Sequence, residues 1–171
     1  MFSLVRALLG AALLTVGLAP AGCSSEPSCA EQVEQNEAAV RTNHHLDNDD
    51  LPGVGDYVEV HWQIRAAGDP CSRVIGPTEL RYQDVIVMRE ADAAALKAAW
   101  DWQPVVGSTP FTTHQILATP SGIWPALAGF LPKGARWTHS GAYDEAGKAT
   151  QWRDVYFDLD HATLLVFSFD H

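Results

Sequence analysis

Residues Ala162 to Phe169 leave few folds open to this chain. Leu165, Phe167 and Phe169 fall on one face of an extended segment, and Leu164 and Val166 fall on the other. A strand that is apolar on both faces must be covered on both, so it is central in its sheet or lies between two layers. The rest of the chain has to supply strands beside it and packing above and below it.

The sequence supplies candidates for both. Arg136 to Tyr143 and Gln151 to Asp158 read as strands, joined by the turn-rich segments Asp144-Glu145-Ala146-Gly147-Lys148 and Asp158-Leu159-Asp160-His161, so that with Ala162–Phe169 they form a meander. From Asp56 to Arg65, Val58, Val60, Trp62 and Ile64 alternate with Glu59, His61, Gln63 and Arg65, the pattern of a half-buried antiparallel strand with His61 facing solvent or a groove. Thr78 to Met88 places Leu80 and Tyr82 on one face, then Val85 and Val87 on the other, and the switch near Asp84 signals a bulge or burial on both sides.

Three helices are expected. Ala30 to His44 holds Val33 and Val40 on one face. Ala91 to Trp102 carries the stripe Ala91, Ala95, Leu96, Ala99 and Trp100 and is stopped by Pro104. Pro125 to Leu131 starts on a proline suited to a first turn and closes at Pro132 and Gly134. Between the last two, Val105 to Thr119 reads as a long connection with a short strand near His114 to Leu117. The expected architecture is α+β: one domain with an antiparallel sheet of about five strands and two or three helices packed on one face.

Met1 to Gly22 has a different character. Arg6 precedes an apolar run from Ala7 to Leu18, and Pro20-Ala21-Gly22-Cys23 follows, the layout of a secretory signal. The run is shorter than the roughly 20 residues needed to span a bilayer. With Ala21 and Gly22 directly before Cys23, the segment resembles a bacterial lipoprotein signal, in which the cysteine thiol receives a diacylglycerol before cleavage. Pro20 departs from that pattern, where a branched aliphatic residue is usual. The resemblance implies lipid attachment at Cys23 and a position at the outer face of the cell membrane. Acyl chains contribute about 0.8 kcal/mol per buried CH₂, enough to anchor the protein without a membrane helix. The organisation that follows is a signal peptide over 1–22, a tether and helix over 23–50, and the α+β domain over 51–171.

With Cys23 assigned to lipid, Cys29 and Cys71 remain of the three cysteines, and an oxidising compartment favours a disulfide between them. Their wide spacing makes no zinc motif. The net charge of −10 repels nucleic acid and anionic headgroups, so neither is an expected partner.

Motifs for chemistry are sparse. No Gly-rich phosphate loop, G-x-S-x-G elbow or H-E-x-x-H occurs. His139-Ser140 with Asp144 and Asp154 nearby suggests a Ser-His-Asp set, but neighbouring strand residues face opposite ways. Asn43 to Asp50 is dense in metal-ligand types, yet Leu51-Pro52-Gly53 breaks a calcium-loop register and His44 and His45 are adjacent rather than four apart. Asp158 and Asp160 share a face at an expected hairpin tip, where Asp commonly stabilises the turn. Six tryptophans include Trp102 and Trp152, which with His139 make a candidate binding surface rimmed by Pro104 to Pro120.

Arg81-Tyr82, Ala91-Asp92-Ala93-Ala94, Trp100-Asp101-Trp102, Pro125-Ala126-Leu127, Leu131-Pro132, Gly134-Ala135, Trp137 and His139-Ser140 together resemble small actinobacterial envelope proteins of uncharacterised function. That resemblance implies an envelope location and no particular activity. The sequence thus points to a lipid-anchored, extracytoplasmic, non-catalytic binding module with an envelope protein or small ligand as partner, and with no cofactor or metal expected. The alternatives are an envelope hydrolase using His139 or His61 as general base, and a structural cation-binding protein using Asp47 to Asp50.

Overall fold

A computed structural model describes residues 26–72, 79–105, 120–147 and 151–170. The signal segment, Cys23 and the expected strand near His114 lie outside the described residues. The elements are α1 (Cys29–Ala38), β1 (Glu59–Ala67), β2 (Glu79–Val87), α2 (Glu90–Ala99), β3 (Gln103–Pro104), a 3₁₀ turn (Pro120–Gly122), α3 (Pro125–Ala128), β4 (Trp137–His139), α4 (Gly141–Glu145), β5 (Gln151–Asp158) and β6 (Thr163–Asp170). Among the described residues no helix is long and apolar enough to cross a membrane.

Among the described residues six strands join one antiparallel sheet in the order β1-β2-β6-β5-β4-β3. The doubly apolar segment is β6, between β2 and β5, with Leu164, Leu165, Val166 and Phe167 all buried. The sheet has one strand more than expected because Gln103 and Pro104 pair with His139 and Thr138 at the edge. Proline fits there because one side of an edge strand needs no ladder donor.

The helices lie on both faces, which corrects the expectation of a single helical face. One core packs Val60, Trp62, Ile86, Val155, Phe157, Leu164 and Val166 against Ala93 and Leu96 of α2, Tyr143 of α4, and Leu51, Val54 and Tyr57. The opposite core packs Val85, Tyr156, Leu165 and Phe167 against Leu127 of α3, with Trp124, Trp137 and Trp152 partly buried around it. A strand apolar on both sides removes its surface from water only if both sides are covered.

Local chemistry sets the helix ends. Ser28 caps α1: its hydroxyl accepts from Glu31 N at 3.3 Å, and Glu31 Oε2 accepts from Ser28 N at 2.7 Å, satisfying two end donors reciprocally. Glu90 and Asp92 stand in the first turn of α2 and Lys97 in the last, matching the helix dipole. Pro125 occupies the first turn of α3, as its fixed φ allows. The Cys29–Cys71 disulfide is formed, with Cα atoms 5.9 Å apart, and joins the start of α1 to the segment after β1. Gln63, fully buried, donates to Glu37 O and Ala38 O at 2.9 and 3.1 Å and fixes the end of α1 on the sheet.

At β2 one of the two expected alternatives holds, and at β4 the expected bounds are corrected. β2 pairs with β1 and β6 without interruption through Asp84, so its change of pattern reflects burial on both faces and not a bulge. The strand expected over Arg136–Tyr143 ends at His139, and the chain turns at Ser140 into α4.

Candidate functional site

The short length of β4 builds the site. Beyond His139 no ladder partner faces the Val155 N–H of β5, and Asp144, carried back by the single turn of α4, accepts that donor through Oδ1 at 2.9 Å. Its Oδ2 lies 2.6 Å from His139 Nε2. α4 is held by Arg153, which donates to Tyr143 O at 2.6 Å and to Asp144 O at 3.0 Å. Gly147 leaves room for that guanidinium, since a Cβ there would stand 1.8 Å from Arg153 Nη1. Asp144 is therefore placed by backbone and by a buried arginine, not by its own rotamer alone.

His139 and Tyr156 are cross-strand partners, and Asp154 lies two residues before Tyr156 on the same face. Asp154 Oδ1 is 3.8 Å from His139 Nε2. One ligand atom from each of His139, Asp144 and Asp154 lies within 4.8 Å of the other two, and all three residues are partly buried.

The two carboxylates interact unfavourably. Burial, and then the charge of Asp144 beside it, raise the Asp154 carboxyl to about 6, while His139 opposes the rise. The bond to Asp144 moves His139 above its ordinary value, aided by the charges of both aspartates and opposed by burial. The trio thus sets two carboxyl groups against one imidazole in a partly buried place. Chemically it offers one imidazole and two carboxylate donors to a cation. It also offers a histidine oriented by a carboxylate, the arrangement of a general base. Ser140 is 4% exposed and follows His139 in the chain at the strand end, so it supplies no nucleophile on the histidine's face.

The other sequence candidates sit elsewhere. Trp152 packs at the edge of the core on the His139 face, in edge contact with Phe169 at 4.8 Å. Trp102 packs on the opposite core against Tyr143 and Phe157, and its Nε1 donates to Leu96 O at 3.2 Å. The three residues therefore do not line one continuous surface. His61 is largely covered by Phe130, their ring centroids 3.6 Å apart, and lies 3.4 Å from Glu59. In Asp47 to Asp50 the carboxylates cap their own turn: Asp47 Oδ1 accepts from Asp49 N and Asp50 N, and Asp50 Oδ2 accepts from Asp47 N. Asp158 Oδ1 accepts from Asp160 N at 3.1 Å and its Oδ2 meets His161 Nδ1 at 2.6 Å, within the β5–β6 turn.

One pairing had no sequence signal. His45 Nε2 lies 2.5 Å from Oδ1 of the fully buried Asp84, and its ring stacks near Trp62 at 4.0 Å. Burial raises the Asp84 carboxyl and His45 counteracts it. The pair secures the segment before β1 to the middle of the sheet.

No family model, curated protein or solved structure matches this chain. Fold and site together define an α+β sheet domain with a partly buried His-Asp-Asp trio.

Proposed function

We propose that this is a lipid-anchored, extracytoplasmic binding module whose domain takes up a divalent transition cation at His139, Asp144 and Asp154. The convergence of the three donors on one face of the sheet carries this reading. A cation about 2.1 Å from each donor needs them roughly 3.5 Å apart, so it would part the His139–Asp144 hydrogen bond, now 2.6 Å, and draw Asp154 in slightly from 3.8 Å. One imidazole and two carboxylates suit zinc or manganese, with water completing the coordination. The cation would also offset the burial and the Asp144 charge that raise Asp154.

The expected result is a saturable rise in melting temperature on adding Zn²⁺ or Mn²⁺, absent in His139→Ala and Asp154→Asn. At 100-fold excess over Kd, a site confined to the folded state contributes about 2.7 kcal/mol. Unchanged melting of the wild type would remove the cation site.

The anchoring part of the proposal rests on Ala21-Gly22-Cys23, and the resemblance to actinobacterial envelope proteins supports the same location. A clickable palmitate analogue is expected to label the wild type and not Cys23→Ala. Equal labelling of both, or of neither, refutes it.

A further inference from the structure

Arg65 and Arg81 are directly opposite one another on β1 and β2, and the same row continues across the sheet through Phe169 and Trp152. By strand alternation all four stand on the face that carries Val85 and Phe167. Two like charges in this relation repel, and cross-strand pairs of this kind are destabilising. Each rests on an aromatic face: the Arg65 guanidinium carbon lies 4.3 Å from the Trp124 ring centroid, and that of Arg81 lies 5.3 Å from that of Phe169. Glu34, Glu37 and Asp69 line the same hollow as Arg65 without pairing with it. The Nε of each arginine is buried and lacks a hydrogen-bond partner. Among the described residues no carboxylate forms an ion pair with either arginine. In a chain with 21 acidic and 11 basic residues, two adjacent arginines that form no ion pair among the described residues are an exception to the prevailing charge.

We propose that Arg65 and Arg81 form a binding site for a phosphate group. Paired guanidiniums match a dianion in charge, and their planar forks match its oxygens. Trp124 and Phe169 hold the guanidiniums in place before the ligand arrives, and Trp152 borders the row on its far side. The site is separate from the cation trio, and neither depends on the other. A soluble phosphomonoester and a phosphate-bearing lipid headgroup present the same chemistry, and the anchored position of the protein would bring it close to the second.

Inorganic phosphate titrated at constant ionic strength against chloride tests the site, with tryptophan fluorescence and melting temperature as readouts. Vesicles of phosphatidylcholine with and without phosphatidic acid, assayed by co-sedimentation, separate the two sources. A saturable phosphate response weakened at least tenfold in Arg65→Gln and in Arg81→Gln supports a soluble ligand. Binding only to phosphatidic acid vesicles, lost in the same variants, supports the headgroup. Without phosphate both variants should melt at or above the wild-type temperature, because each removes the like-charge contact. The proposal is overturned if neither probe gives a saturable response, or if the variants respond as the wild type does.

Discussion

Reducing the Cys29–Cys71 disulfide, or replacing both cysteines with serine, is expected to lower stability by about 4 kcal/mol on the chain-entropy account, for the separation of 42 residues. For a domain of this size that is a fall in melting temperature of roughly 10 °C. The loss should concentrate at the N-terminal side. α1 has no buried residue of its own, and it is held by Gln63, by the backbone bridge between Arg41 and Trp62, and by the disulfide. Hydrogen exchange in the reduced protein should therefore accelerate first in Cys29–Ala38 and last in β6. Chemical denaturation with and without reductant measures the first quantity, and equal stabilities would contradict it.

Asp144 and Asp154 are expected to respond to substitution with opposite signs. Asp144→Ala leaves the Val155 N–H without an acceptor and His139 without its partner, and a buried orphan donor costs about 1–3 kcal/mol. Asp154→Asn removes a carboxyl that the fold prefers protonated. Its folded value of about 6 lies above its ordinary value, so between the two the native state holds a proton that the unfolded chain has released. The stability it contributes is present at low pH and is lost as pH rises toward 6 and beyond. In metal-free protein, Asp154→Asn should therefore gain about 1 kcal/mol at pH 8, discounted for partial exposure, and nothing near pH 3. His139 adds to the slope in the same direction, because its raised value gives stability below about 6.5 that is lost as pH climbs through the folded value. Thermal melts of the two variants across pH check the signs, and a stabilising Asp144→Ala or a destabilising Asp154→Asn at pH 8 would contradict the account. A carboxylate kept at a cost in stability is what a ligand site predicts.

How far the sequence foretold this arrangement depended on whether the controlling contact was local. The two apolar faces of β6 require cover on both sides, yet the stripes of the helices do not say which side of a sheet each takes, and a single helical face satisfies them equally well. At Asp84 the polar residue broke the alternation of β2, and only the fold brings His45 to it. The residues of the trio stand close together in the sequence, but beside Ser140 they read as a Ser-His-Asp set, which strand alternation breaks. What remained hidden was α4: a five-residue helix with no side-chain cap, in a segment that reads as strand end and turn, returns Asp144 to the His139 face. Trp102 and Trp152 illustrate the same limit, since a tryptophan near a strand end packs equally well on either core.

The most direct test is equilibrium dialysis of the folded protein against Zn²⁺, with bound metal counted per chain for the wild type and for His139→Ala. One ion retained per wild-type chain and none in the variant is the expected result. Retention of the ion by His139→Ala, or none by the wild type, would contradict a cation site at His139, Asp144 and Asp154.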